Sequence, residues 1–293
     1  MRPVLFRFLT RAMDAQGVWT KPLGDLAHRF LFWLFQGLPG IRDLLVGRWL
    51  GHPPHAVLTD APIGILFLVI VFDVIDDPGA AAITLAVGIL AMLAAALAGF
   101  ADYADTDGKA RERATLHSSL MLLALVGYLV SLAFRLGSGP VASAAGVWLS
   151  VLSFLVLSAA AYVGGDVVYV LGNMVSRHAF RGAGTKWIAL EPAEAASGEI
   201  PEGRPIKGKL GVNTLVLVRQ GERVLALHET CAHAGGPLSE GKLVDGGIIE
   251  CPWHFSRYRL ADGHVVRGPS VYDQPAYEVR RREGGGWEAR RQA

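Results

Sequence analysis

Residues 78–101 (PGAAAITLAVGILAMLAAALAGFA) and 136–165 (LGSGPVASAAGVWLSVLSFLVLSAAAYVGG) contain no charged side chain. Each exceeds the roughly 20 residues that a helix needs to cross about 30 Å of hydrocarbon. A backbone in lipid has no water to bond, so such a run is expected to be a helix that satisfies its own amides. Two more stretches have the length. Residues 114–134 (ATLHSSLMLLALVGYLVSLAF) are uncharged at neutral pH, with His117 near the start, and the first stretch, roughly 56–76, has Asp60 and Asp73 within it and Asp76 at its edge. Four crossings follow, which accounts for 52% apolar and 18% charged residues in a 293-residue chain.

The cations set an orientation. Arg2, Arg7, Arg11, Lys21, Arg29, Arg42 and Arg48 precede the first stretch; Lys109, Arg111 and Arg113 separate the second from the third; Arg177, Arg181 and Lys186 follow the fourth. The opposite side has the acidic DVIDDPGA and a single Arg135. Cations stay inside, so a multi-pass protein of a bacterial inner (cytoplasmic) membrane is expected, with both termini in the cytoplasm. MRPVLFRFLTRAMD is interrupted by Arg7 and lacks a small-residue cleavage site, so it does not read as a signal peptide. FLFWLFQGLPGIRDLLVGRWLGH is too short and too broken by Gly37, Pro39 and Gly40 to span, and is expected to lie along the interface. Residues 1–50 thus read as interfacial helices and 51–178 as the bundle. A formal charge of +2 with scattered arginines excludes a nucleic-acid binder.

From residue 185 the texture changes to short runs such as TLVLV, RVLAL and GIIE between Gly, Pro and charged turns, the pattern of a small all-β domain over 185–293. No repeat is visible anywhere in the chain.

Both cysteines of the chain fall in this domain, as Cys231-x-His233 and Cys251-x-x-His254. That leaves none for a structural disulfide, as in a reducing compartment. Two thiolates with two imidazoles suit a 2Fe-2S cluster with one iron on sulfur and the other on nitrogen. They also suit a tetrahedral zinc site, although a one-residue Cys-x-His spacing is unusual for zinc. CAHAGGPL and CPWHFS resemble the two cluster-binding loops of the Rieske 2Fe-2S family, and VVRGPSVY resembles its third loop; the resemblance spans about residues 187–290. It implies a 2Fe-2S cluster with Cys231 and Cys251 on the inner iron, Pro269 as a cover, and His233 and His254 at the surface as the exit for electrons.

The extra cysteine pair of cytochrome bc Rieske proteins is absent, as in the ferredoxins of ring-hydroxylating oxygenases, which implies a lower potential. Ser256 and Tyr258 stand where the bc-type proteins place hydroxyl donors to sulfur, which would raise it. A mononuclear oxygenase iron would need two histidines and a carboxylate. Only His264 lies downstream of the motif, so a carrier of electrons is expected and not an oxygenase.

GRWLGHPPHAVLTDAPIGILFLVIVFD, AGFADYADTDGKARERATLHSSLMLLALVGYLVS and AYVGGDVVYVLG resemble a bacterial family of uncharacterised four-helix integral-membrane domains, over roughly residues 40–178. The topology places His52, His55, His117 and His178 on the cytoplasmic side. Ionisable groups near spans are functional candidates. With Asp60, these histidines are candidates for a haem b or quinone site; the plainer reading is a structural role in the headgroup region. The expected fold class is α + β in two domains: an N-terminal transmembrane four-helix bundle, then a small all-β Rieske-type sandwich. The expected function is a membrane-anchored carrier of single electrons between a soluble or membrane redox partner protein and an acceptor. Its rivals are a quinone- or haem b-dependent membrane oxidoreductase fed by the cluster, and a membrane redox sensor or scaffold.

Overall fold

A computed structural model describes residues 4–137, 143–179, 184, 186–192 and 199–292. Arg2, Arg181 and positions 138–142 of the fourth apolar stretch lie outside them. The chain forms two compact units: Met1–Ile41 with Pro53–Asn173, and Arg42–His52 with Met174–Ala293. The segment Arg42–His52, which reads as the end of the interfacial region and the head of the first span, therefore packs with the second unit.

The first unit is helical: α1 (Val4–Ala15), α2 (Gly17–Gly37), α3 (Pro39–Leu45, whose end from Arg42 belongs to the second unit), α4 (Pro54–Leu58), α5 (Asp60–Val74), α6 (Pro78–Tyr103), α7 (Gly108–Gly137) and α8 (Ala144–Gly165). A π-helical turn over Asp166–Val170 continues α8. The chain has four helices long and apolar enough to cross a membrane, Pro54–Val74, Pro78–Tyr103, Gly108–Gly137 and Ala144–Val170. Their starts follow local chemistry. Pro78 sits in the first turn of α6, where no N–H is needed, and the Asp77 carboxylate accepts the Ala80 N–H at 2.9 Å. Leu66, Val69, Leu85, Ile89, Met92, Ala124, Tyr128 and Leu157 face inward as one core. Leu90, Leu97, Trp148 and Leu152 stay exposed, as side chains that face acyl tails should.

The two ends of this bundle differ. At one end Arg135 donates to both Asp73 oxygens, at 2.7 and 2.6 Å, and both side chains are at least 95% buried. The hydroxyls of Ser131 and Ser150 accept two of the three other guanidinium protons. The single arginine of the acidic side is thus neutralised by an aspartate of the first span. At the other end α2 is docked: Tyr103 Oη bonds Thr115 Oγ1 at 2.6 Å and donates to Gly24 O at 3.3 Å. Arg113 ties Asp166 at 3.1 Å to Asp14 of α1 at 2.6 Å.

The second unit is all-β apart from Arg42–His52 and a short 3-10 turn. Strands β1 (Ile188–Pro192), β2 (Ile206–Leu210), β3 (Asn213–Gln220), β4 (Arg223–His228), β9 (Ala276–Arg281) and β10 (Trp287–Arg291) close into a barrel in the order β1-β10-β9-β4-β3-β2. Strands β5 (Lys242–Val244), β6 (Ile248–Glu250), β7 (Arg257–Arg259) and β8 (Val265–Arg267) form a separate four-stranded sheet. Where a sandwich is expected, β1 pairs with both β2 and β10 and leaves the first sheet no free edge. The uninterrupted TLVLV run is explained by β3 being buried on both faces. Leu215 and Leu217 enter the barrel core, while Val216 and Val218 enter a second core that also contains Cys231, Cys251 and Tyr258.

Candidate metal centre

Two loops bring the four motif residues to one end of the second core. The first follows β4 and the second joins β6 to β7. They share one backbone design. Cys231 N–H donates to Gly236 O at 2.9 Å, and Cys251 N–H donates to Ser256 O at 2.8 Å. The residue four places after each cysteine donates back to it, Gly235 to Cys231 O at 3.0 Å and Phe255 to Cys251 O at 3.1 Å. Both take a left-handed conformation, with φ of +92° at Gly235 and +64° at Phe255. This internal repeat has no counterpart in residue identities beyond Cys and His. The loops can approach because Gly236 has no side chain: a Cβ there would lie 2.8 Å from Cys251 Sγ.

The donors divide into two ends. Cys231 and Cys251 are buried, form no disulfide, and are close enough to act on each other electrostatically. The rings of His233 and His254 meet edge to face with centroids 5.0 Å apart. Among the described residues no three His, Cys, Asp or Glu side chains converge as one mononuclear ion would require. A binuclear cluster asks for two thiolates at one iron and two imidazoles at the other, and the residues fit that demand.

The electrostatics favour the ligand form at Cys251 and His233 and oppose it at Cys231. Burial pushes the Cys231 thiol well up, while the hydrogen bond from Cys231 and the N–H groups of Trp253 and His254 draw the Cys251 thiol down. Cys251 is therefore the first of the pair to become a thiolate. Burial holds His233 well below the usual imidazole range, with the charges of His254, Arg42 and Arg177 adding to it. A neutral imidazole is the form that binds metal.

Tyr258 Oη lies 3.1 Å from Cys231 Sγ. Ser256, fully buried, accepts the Ser270 N–H at 2.9 Å, which leaves its own proton available. Pro269 follows a cis peptide, and the preceding Gly268 N–H donates to Asp43 Oδ1 at 3.0 Å. The strap that brings Asp43 also brings buried Arg42, whose charge acts on His233. The histidine tips are correspondingly less open than expected. His254 is only 8% exposed, His233 is half-buried, and the exposed side chain of the two cysteine loops is Trp253 at 48%.

Gln274 is a site residue with no sequence signal. Its Oε1 accepts the Ala232 N–H at 2.8 Å, and its Nε2 donates to His228 O at 2.6 Å and Thr230 O at 2.8 Å. His178 belongs here too: its Nε2 bonds Thr230 O at 2.8 Å, within the second unit. His52 falls in the strap and is exposed, and Asp60 is exposed at the start of α5. Of the candidates in the first unit, His55 and His117 come together, with ring centroids 6.3 Å apart.

A closed barrel with an appended sheet whose loops pair two thiols and two imidazoles is the architecture of an iron–sulfur protein of mixed ligation. A family model, the Rieske [2Fe-2S] domain, matches residues 191–278. The chain is 34% identical over 76 residues to ferredoxin CarAc of Metapseudomonas resinovorans, a match to 26% of this chain and 70% of that protein. It is 30% identical over 85 residues to the ferredoxin component of the p-cumate 2,3-dioxygenase system of Pseudomonas putida, covering 29% of this chain and 72% of the relative. Among solved structures, the ferredoxin of carbazole 1,9a-dioxygenase from Nocardioides aromaticivorans IC177 matches at 28% identity and a TM-score of 0.28, over 31% of this chain and 86% of that one. Through its C-terminal domain the chain belongs to the Rieske 2Fe-2S family, and that domain implies a 2Fe-2S cluster.

Proposed function

We propose that this protein carries single electrons through a 2Fe-2S cluster held by Cys231, Cys251, His233 and His254, on a domain anchored in a bacterial cytoplasmic membrane by four helices. The observation that carries this reading is the division of the donors into a buried thiol pair and an imidazole pair. When bound, the cluster supplies a one-electron ferric–ferrous step. The chain's part is to keep water from the sulfurs, to hold His233 neutral, and to place the Tyr258 hydroxyl against Cys231 Sγ, where it offsets the charge that reduction adds. Trp253, exposed next to His254, offers a partner protein an apolar contact beside the imidazole end. The relatives named as ferredoxin components of dioxygenase systems support a protein redox partner. The distribution of Lys and Arg supports cytoplasmic termini and a cytoplasmic Rieske domain.

In a second reading the bundle takes part in the redox chemistry, as the core of a haem b- or quinone-dependent oxidoreductase fed by the cluster. The meeting of His55 and His117 favours it.

Anaerobic purification of the full chain, followed by iron and sulfide analysis and EPR after dithionite reduction, tests the primary reading. Expected are iron and acid-labile sulfide in equal amounts with a rhombic Rieske signal. Zinc in place of iron, or a reduced sample without that signal, overturns it.

A further inference from the structure

The bundle contains two matched half-sites. His55, at the start of the first span, shares a hydrogen bond of 2.8 Å between Nδ1 and Ala95 O on α6. His117, on α7, makes the same 2.8 Å contact from Nδ1 to Ala160 O on α8. A carbonyl can only accept, so each ring carries its proton on Nδ1 and a bare lone pair on Nε2. One helical turn beyond each acceptor stands a glycine against which the ring lies. A Cβ at Gly99 would be 2.8 Å from His55 Cε1, and one at Gly164 would be 3.0 Å from His117 Cε1. The two rings then meet with centroids 6.3 Å apart and planes at 79°.

We propose that His55 and His117 are the two axial ligands of a b-type haem bound at this end of the bundle. Anchoring one ring nitrogen on a backbone carbonyl so that the other presents a lone pair is how metal-ligating histidines are held. A metal bonded at about 2.0–2.1 Å to the Nε2 atoms of two imidazoles sets the ring centres about 6 Å apart, and the two centroids lie 6.3 Å apart. Among the described residues no third His, Cys, Asp or Glu joins them, so the other coordination positions must come from the ligand itself, and a porphyrin supplies four nitrogens. Bundles hold cofactors between facing helices in this way. A quinone fits less well, since its carbonyl oxygens need donors and both Nε2 atoms are acceptors. This inference deepens the second reading of the function, on which it rests, and stands on residues other than the cluster's.

The test uses the full chain, produced with a supply of haem and purified in mild detergent. Reduced-minus-oxidised optical spectra, a pyridine haemochrome assay and the Rieske EPR signal are recorded on the same sample. The expected result is one six-coordinate, low-spin b-type haem per chain. His55→Ala and His117→Ala should each reduce haem content at least as much as the roughly tenfold that loss of an outer-shell partner alone costs. Gly164→Val should lower it as well by displacing the His117 ring. All three should retain the Rieske signal, which reports a folded second unit, and the far-ultraviolet helical signal and thermal unfolding in detergent of the parent, which report a folded bundle. A cluster-replete protein that takes up no haem on addition of haemin overturns the proposal, as do histidine variants that keep the six-coordinate spectrum or a bound quinone recovered in place of haem. Loss of the Rieske signal with haem retained counts against the electron-carrier reading alone.

Discussion

Tyr258 Oη stands 3.1 Å from Cys231 Sγ, and both groups are buried. A hydroxyl donated to a ligand sulfur stabilises the reduced cluster, the more negative of its two states. Tyr258→Phe is expected to lower the midpoint potential. One hydrogen bond of about 1 kcal/mol corresponds to roughly 40 mV for one electron. An EPR-monitored redox titration measures it, and an unchanged potential would show that the hydroxyl does not act on that sulfur.

Gly236→Val should prevent cluster assembly without unfolding the barrel. The added Cβ would lie 2.8 Å from Cys251 Sγ and 3.0 Å from the Trp253 ring, so the loops must separate, while Gly236 contributes nothing to the barrel core. Iron and sulfide should fall away while the far-ultraviolet circular dichroism stays unchanged. Full iron content in the variant would contradict the close approach of the loops.

Gln274→Leu removes the acceptor of the buried Ala232 N–H and the amide that donates to His228 O and Thr230 O, of which Thr230 O keeps the His178 ring. Each buried polar group left unsatisfied costs about 1–3 kcal/mol. The first loop should loosen, which a faster loss of iron to a chelator would report. Gln274→Glu keeps the acceptor for the Ala232 N–H but loses the donor, and its loss of iron should be intermediate.

Asp73→Ala leaves the Arg135 guanidinium buried without its carboxylate. Breaking a buried pair from one side costs about 3–5 kcal/mol, whereas replacing both partners by apolar residues is often neutral. Thermal unfolding in detergent should therefore show Asp73→Ala well below the parent protein, with Asp73→Leu combined with Arg135→Leu recovering most of the loss.

Chemistry with strict requirements for residue type and spacing was the most legible in the sequence. Cys231, His233, Cys251 and His254 stand out because few side chains bind iron, and the four spans stand out because few residues tolerate lipid. What escaped depends on distance along the chain. Asp73 and Arg135 look like ordinary charges at helix ends until two helices align them. Gln274, over forty residues from Ala232, is an unremarkable polar residue until the segment leading into β9 carries it under the first loop. Gly99 and Gly164 belong to stretches rich in small residues, where neither differs in kind from its neighbours. His178 follows the last helix in sequence and so reads with the bundle histidines, yet its ring bonds Thr230 O. The short strands were visible as a texture, but the closure of β1 onto β10 joins opposite ends of the domain, and local pattern carries no record of it.

The bond from Gly268 N–H to Asp43 has a practical corollary for anyone cutting this chain. The redox domain borrows a piece of polypeptide that precedes the first crossing, so a fragment begun after the last helix starts life without Asp43, Arg42 and Val46. Its third loop would lose an anchor and His233 a neighbouring positive charge. A water-soluble truncation is thus a different electrochemical object from the intact membrane protein, and potentials measured on one do not transfer to the other.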